Sequence, residues 1–298
     1  MDGVIVCDKP AGVTSAAAVR QIKARLGKHA RVGHLGTLDP FATGVLPILV
    51  GEGTKLAPFL QEGHKQYVGV ITLGCETNTL DPTGQIIRSA PVPEIRQEQL
   101  TEVASRFTGI IQQTPPIFSA IKRHGVPLYK LARHNIDIEL PAPRQVEILR
   151  LELCPADERN IRFTVACASG TYIRSLARDI GIALNSAAHL KELRRTANGS
   201  FSLAQARPLT PILVALEQGD KPGLIGMSAA LANLPEVAVD PIVERRLRNG
   251  DSGALQHLAP RDAEFFKLTS RGDLVAVARR TSAVTAAIAR VFCETHPD

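Results

Sequence analysis

The chain has 298 residues, 44% of them hydrophobic, which suffices for about two domains with cores of their own and excludes a minimal stapled scaffold. No apolar run approaches the roughly 18 residues of a membrane span, and the acidic start Met1-Asp2-Gly3 is unlike a signal peptide, so a cytoplasmic protein is expected. A formal charge of +6 leans toward a polyanionic partner, while nine Phe, three Tyr and no Trp argue against a broad platform of stacked single-stranded bases.

Up to about residue 210, short β-rich runs alternate with helical stretches, the pattern of one mixed α and β domain. Ser15 to Leu26 reads as a helix whose apolar face is Val19, Ile22 and Leu26, capped by Thr14 or Ser15. Residues 45–50 read as a buried strand, with Pro47 marking it as an edge or irregular. Gln66 to Leu73 alternates, with Tyr67, Gly69, Ile71 and Leu73 on one side. The turn-rich residues 78–84 join that strand to residues 85–88 as a hairpin. A helix on Leu100, Val103 and Phe107 follows, and then five prolines amid basic residues from Gln112 to Pro143 predict a long functional surface excursion. Strands return at 146–153 and 161–167. Thr171 is placed to cap a helix whose buried stripe is Ile173, Leu176, Ala177, Ile180 and Leu184. Near 208–236 the pattern loosens. Strand-like runs at 274–277 and 287–292 suggest a small β-rich module at 236–298, after a domain spanning 1–235. The five cysteines form no C-x-x-C pair; they signal no zinc site and read as small buried residues.

The loop from Gly33 to Pro40 puts the carboxylate of Asp39 on a glycine-hinged turn just before a proline, which biases it to an extended, held geometry. From Lys9 to Leu38 there are six basic residues and no acid, so Asp39 ends a cationic stretch that suits a phosphate-bearing ligand. A second acidic turn, Leu80-Asp81-Pro82, lacks that neighbourhood and by itself reads as structural. Arg174 falls in the first turn of its helix, where the macrodipole disfavours a cation, and so predicts an acidic partner nearby. Val103 to Ile136 carries five basic residues and no acid. Charges balance within 236–298, so the whole excess lies in 1–235.

Several blocks, in order over residues 3 to about 201, resemble the TruB family of tRNA pseudouridine-55 synthases. They are Asp8-Lys-Pro-Ala-Gly-Val-Thr-Ser15, Gly33-His-Leu-Gly-Thr-Leu-Asp-Pro40 with Ala42-Thr-Gly44, and Lys65-Gln-Tyr67. Further on come Thr77-Asn-Thr-Leu-Asp81-x-x-Gly84, Cys167-x-x-Gly170-Thr-Tyr-Ile-Arg174 and His189-Leu-x-x-Leu193-Arg-Arg-Thr196. Leu35 stands where Thr or Ser is expected, and Asn78 where Asp is common.

The resemblance implies an α+β pseudouridine synthase fold, with a central mixed, mainly antiparallel sheet flanked by helices and a PUA-like RNA-binding module at 236–298. It implies isomerisation of uridine 55 in the T-arm of tRNA, with no cofactor, no metal and no protein partner, by a monomer. In that reading Asp39 is catalytic, attacking the sugar or the base or taking a sugar proton. Tyr67 stacks on the extruded uracil, Arg174 positions Asp39, Asp81 orients Arg174, Leu193 walls the pocket, and His34 fills the place the base vacates. The insertion near 112–143 closes over the RNA, and Lys9, Arg20, Lys23, Lys122 and Arg123 contact its backbone. Two other readings stay open: a guide-RNA-dependent synthase of the dyskerin type, and a non-enzymatic chaperone of tRNA folding.

Overall fold

The computed structural model describes all residues except 62, 120–121, 124–125, 128–140, 257, 259, 261–262, 283–284 and 294–298; for 122–123 and 126–127 it describes the backbone only. In chain order the first elements are β1 (Gly3–Lys9), α1 (Ser15–Leu26), β2 (Val32–His34), β3 (Thr43–Val50), α2 (Ala57–Leu60), β4 (Lys65–Leu73), β5 (Cys75–Thr77), β6 (Ile86–Ser89), α3 (Gln97–Arg106) and β7 (Gly109–Gln113). The short β8 (Lys122–Arg123) and β9 (Val126–Pro127) precede β10 (Arg144–Pro155), β11 (Asn160–Cys167), α4 (Ile173–Ala183), β12 (Ala188–Asn198), β13 (Phe201–Ser202), β14 (Arg207–Pro208) and α5 (Leu209–Glu217). The chain closes with β15 (Leu224–Ile225), α6 (Met227–Ala230), β16 (Glu236–Ala238), α7 (Pro241–Arg248), β17 (Phe265–Ser270), β18 (Asp273–Arg280) and β19 (Ala286–Val291). These fall into two units, the first of residues 1–38, 45–62 and 199–298, the second of 39–44 and 63–198.

In the first unit β1 lies between β14 and β3, with β15 antiparallel on β1 and β2 antiparallel on β3. Its core joins Val4, Val6, Leu35, Val45, Leu49 and Phe201. Pro47 is buried inside β3 and is neither an edge nor an irregularity, contrary to the expectation. It has no N–H to give, and its carbonyl accepts from Leu35 N (2.9 Å) where β2 has ended. Helix α1 matches its expected bounds, with Thr14 Oγ1 accepting from Ala17 N. Its buried face, however, is Ser15, Ala18 and Ile22, a rotation that leaves Val19 and Leu26 half-buried. The loosened stretch after 208 holds α5, a helix that the flanking prolines and glycine hid. Strands β16–β19 form a four-stranded sheet in sequence order, wider than the two runs expected. One cluster in it joins Leu247, Leu255, Phe266, Leu268, Val275 and Ala276. Leu274, Val277 and Phe292 instead enter the core that holds Val4 and Phe201.

In the second unit the order is β12-β4-β11-β10-β7, antiparallel throughout, and the start of β3 adds a short parallel strip at Thr43–Gly44 beside Arg194–Arg195 of β12. Helix α3 packs on β10 and α4 on β12. The α+β class with a mainly antiparallel, helix-flanked sheet is as the sequence predicts. The hairpin partner differs: β6 pairs with the short β5, not with β4, and the two make a separate ribbon. Thr171 does not cap α4; its hydroxyl turns back to the Ala168 carbonyl (3.0 Å). Of the cysteines, Cys7 and Cys167 are buried, whereas Cys154 and Cys293 are exposed. Cys154 sits on the outward phase of the alternating β10, which composition cannot reveal.

Candidate active site

Asp39, Asp81, Tyr67, Arg174 and Leu193 all belong to the second unit. Asp39 opens a loop that ends on β12: Thr43 pairs with Arg194 and Gly44 with Arg195. Gly44 has φ +103°, and a Cβ there would sit 2.2 Å from the Arg195 carbonyl, so only glycine lets the loop approach this strand so closely. The Asp39 carboxylate meets Arg174 side on, with Nε 2.9 Å from Oδ2 and Nη2 donating to Oδ1 at 3.2 Å. This two-point contact fixes the plane of the carboxylate as well as its charge.

Arg174 is buried, its side chain 6% exposed, on the first turn of α4. An unpaired cation there would be costly on two counts, desolvation and the helix dipole. The expected acidic partners are present: Asp39, and Asp81 with Oδ2 3.7 Å from Nη1. The other guanidinium protons go to backbone carbonyls, Nη1 to Thr79 (2.8 Å) and Nη2 to Phe118 (2.9 Å). Gln113 steadies the helix start. Its fully buried side-chain amide accepts from Tyr172 N (2.8 Å) and donates to Tyr172 O (3.1 Å), replacing the missing side-chain cap. Ser175 Oγ adds a bond to the Thr114 carbonyl (2.8 Å).

Asp81 is held by its own turn. Its Oδ1 accepts from Thr79 Oγ1 (2.7 Å), Thr83 N (2.9 Å) and Thr83 Oγ1 (2.6 Å). Leu80, at φ +60°, gives its carbonyl to Leu190 N (3.0 Å), which pins the turn to β12. Gly84 is required because a Cβ would lie 2.3 Å from Thr79 Oγ1 and 2.4 Å from Asn78 Oδ1. Asn78 closes the turn by accepting from Gln85 N through that same oxygen (3.0 Å), a task an aspartate oxygen would also perform. Leu35, the other departure, places its side chain in the first unit's core.

Tyr67 lies on the central strand β4, directly opposite Val165 of β11 and Arg195 of β12. Leu193, two residues before Arg195, faces Gly69. A Cβ on Gly69 would lie 2.2 Å from the Glu192 carbonyl and 2.7 Å from Phe163 Cζ. Tyr67 and Leu193 are therefore diagonal neighbours on one face, both buried. Burial pushes the Tyr67 phenol above its ordinary range; the charge of Arg195 and a hydrogen bond from it pull the other way, while Cys167 and Asp39 push up. A phenol so raised is a poor base at neutral pH. Arg195 is 0% exposed, and burial lowers its own proton affinity and that of the half-buried Lys65. Burial also pushes the Cys167 thiol up to about 11.

The second unit thus brings together Asp39, Arg174, Asp81, Tyr67 and Leu193, while His34, Lys9, Arg20 and Lys23 belong to the first. His34 is half-buried at the end of β2, opposite Ile48. Lys9 overturns its expected role at a nucleic-acid backbone. It is 0% exposed, and its ammonium folds back onto the carbonyls of Pro10 (2.8 Å) and Val13 (2.7 Å), where it satisfies the turn before α1. The cationic stretch of the first unit is reduced further, because Arg25 pairs with Glu217 (2.9 Å) and Arg31 with Glu52. Arg20, Lys23 and Lys28 remain exposed and, among the described residues, without an ion pair. The side chains of Lys122 and Arg123, and most of the proposed insertion, lie outside the described residues. Arg195, Lys65 and Gln113 are the site groups that sequence reasoning missed. For Arg195 a signal existed: it keeps the two-residue phase of Leu193 along the strand.

Residues 23–173 match the profile described as "TruB family pseudouridylate synthase (N terminal domain)", and residues 174–221 the one described as "tRNA pseudouridylate synthase B C-terminal domain". The chain is similar to the tRNA pseudouridine synthase B of Geobacter sulfurreducens, 43% identical over 251 residues, covering 84% of this chain and 82% of the relative. It is 47% identical over 208 residues to that of Bordetella avium, covering 69% and 84%. Among solved structures it resembles a chain of a Cbf5–Nop10–Gar1 complex, with a TM-score of 0.74 and 26% identity over 98% of this chain and 85% of that one. A second likeness, in an H/ACA RNP bound to a substrate RNA containing 2′-deoxyuridine, has a TM-score of 0.73 at 24% identity over 98% of this chain and 85% of that one, and speaks for the fold alone.

Proposed function

We propose, since this chain belongs to the TruB family of pseudouridylate synthases, that it isomerises uridine 55 in the T-arm of tRNA to pseudouridine, with Asp39 as the reacting carboxylate. The observation that carries the reading is the Asp39 side chain, about one third exposed yet held at two points by the buried Arg174. A carboxylate in that setting is oriented and charged but still reachable.

The reaction breaks the bond from N1 to C1′, turns the uracil over, joins C5 to C1′, releases the C5 proton and places a proton from solvent on the freed N1, so that the product is an isomer. Asp39 starts it by attack on the sugar or the base or by removing a sugar proton. The target nucleotide must leave its stack, at a cost of about a few kcal/mol, and Tyr67 offers the aromatic face that receives it, with Leu193 as the wall beside it. The raised phenol of Tyr67 favours stacking over service as a base. His34 takes the place the base leaves. Arg20 and Lys23, exposed at i and i+3 on α1, hold phosphates, as do the basic residues of the insertion. Residues 236–298, with their own sheet and apolar cluster, serve as a PUA-like RNA-binding module beside a catalytic domain of residues 1–235. The reading asks for no cofactor, metal or protein partner, and a cytoplasmic monomer suffices.

The test uses purified chain alone and a T-arm hairpin labelled at C5 of the target uridine. Release of label without added guide RNA, protein or cofactor is expected. No release from the bare hairpin or from whole tRNA, with release once guide RNA and accessory proteins are supplied, would favour the guide-dependent alternative. Binding without release under either condition would favour the chaperone.

A further inference from the structure

We propose that Arg195 is a positioning residue that fixes the ring of Tyr67 and ties it to the loop bearing Asp39, an inference that rests on the pseudouridylation proposed above. Residue 195 sits at a crossing: β12 pairs with Gly44 at this position on one side and with Tyr67 on the other. The loop that begins at Asp39 and the strand that presents Tyr67 therefore share one register point. Gly44 locks it, because any side chain there would strike the Arg195 backbone. The Arg195 side chain shares its face with Tyr67 and is 0% exposed, so guanidinium and phenol are enclosed on one buried face, and the charge of Arg195 favours the phenolate.

Burying a guanidinium is costly, and a leucine or methionine would fill the same strand position without that cost. What the arginine adds is direction. A guanidinium only donates, so beside it the phenol oxygen turns its lone pairs toward the charge and its hydrogen away. A tyrosine whose polar end is held by a buried charge has its ring plane set, which is what a stacking platform for one flipped base requires. The charged and titratable groups that face this phenol are Arg195 from β12, Cys167 from β11, Lys65 on its own strand and Asp39 from the loop. Of these, Arg195 pairs directly opposite Tyr67 and draws its ionisation downward; Asp39 and Cys167 oppose it.

The experiment is a double-mutant cycle of Arg195→Met and Tyr67→Phe on T-arm conversion, with single-turnover rate and hairpin affinity measured separately. Arg195→Met is expected to slow conversion roughly 10²-fold, the scale of a misplaced catalytic constellation, with affinity changed less than about threefold. In the Tyr67→Phe background the same change should add less than about threefold, and Arg195→Lys should recover most of the rate. A second readout is tyrosine titration, followed by phenolate absorbance in a chain with three tyrosines and no tryptophan. Arg195→Met should raise the Tyr67 transition further. Full multiplicative losses in the cycle, or an unmoved Tyr67 titration, would overturn the inference. If Arg195→Met does not fold, Arg195→Gln, which keeps a polar end and loses the charge, carries both the cycle and the titration with the same expected outcomes. Wild-type chain that makes no pseudouridine would sink the proposed function instead, and the titration alone would then decide whether Arg195 governs the Tyr67 phenol.

Discussion

Of the chain's three Asp-Pro dipeptides, Asp240-Pro241 opens α7, whereas Asp39-Pro40 and Asp81-Pro82 lie outside helices, and a single guanidinium, that of Arg174, touches both of these. Their surroundings separate their tasks. The Asp81 side chain is 7% exposed, and one of its oxygens already accepts three hydrogen bonds from Thr79 and Thr83. The Asp39 side chain is 32% exposed and takes both oxygens to Arg174 at close range, against 3.7 Å for Asp81. A saturated, buried carboxylate anchors; an oriented, reachable one reacts. The same dipeptide thus yields a support in one turn and a candidate reactive group in the other.

Changes to the groups that hold these carboxylates should sharpen the contrast. The largest effect is expected from Arg174→Met. It strands the buried Asp81 and frees Asp39, and should lower stability by about 3 kcal/mol, the low end for a broken buried pair because Asp39 is partly solvated. Single-turnover conversion should fall by about three orders of magnitude while hairpin affinity changes less than about tenfold. A collapse of affinity with the rate preserved would make Arg174 a phosphate clamp. The smallest effect is expected from Thr83→Ala, which removes one of the three bonds to Asp81 and should cost about 1 kcal/mol in thermal or denaturant unfolding, with conversion slowed less than about fivefold. A rate loss as large as that of Arg174→Met would mean that Asp81 is more than a support.

The sequence made some of this readable and hid the rest for physical reasons. Helix α1, strand β4 and the buried stripe of α4 follow from periodicity, and each is present, although β4, paired on both sides, does not alternate in burial. An arginine in a helix's first turn predicts an acidic partner, and Arg174 has two. Sidedness was harder. Lys9 counts as a surface charge in any composition, yet two turn carbonyls draw it inside. Arg195 looks like one more basic residue until β4 pairs beside it and closes the face it shares with Tyr67. Gln113 caps α4 across 59 positions of chain, a distance no local capping rule spans. Pro47 sits inside β3 although it has no N–H, because it keeps a carbonyl that still accepts from Leu35 N.

The central claim, that Asp39 reacts and Asp81 supports, is tested most directly by single-turnover pseudouridine formation in Asp39→Asn and Asp81→Asn, each with enzyme saturating over the T-arm hairpin. Asp39→Asn should bind the hairpin as the wild type does and form no product. Asp81→Asn keeps an oxygen that can accept from Thr79 and Thr83, and should convert the hairpin fully, though more slowly. Product from Asp39→Asn at a rate near wild type, or an Asp81→Asn variant that folds and binds but is equally dead, would contradict the account.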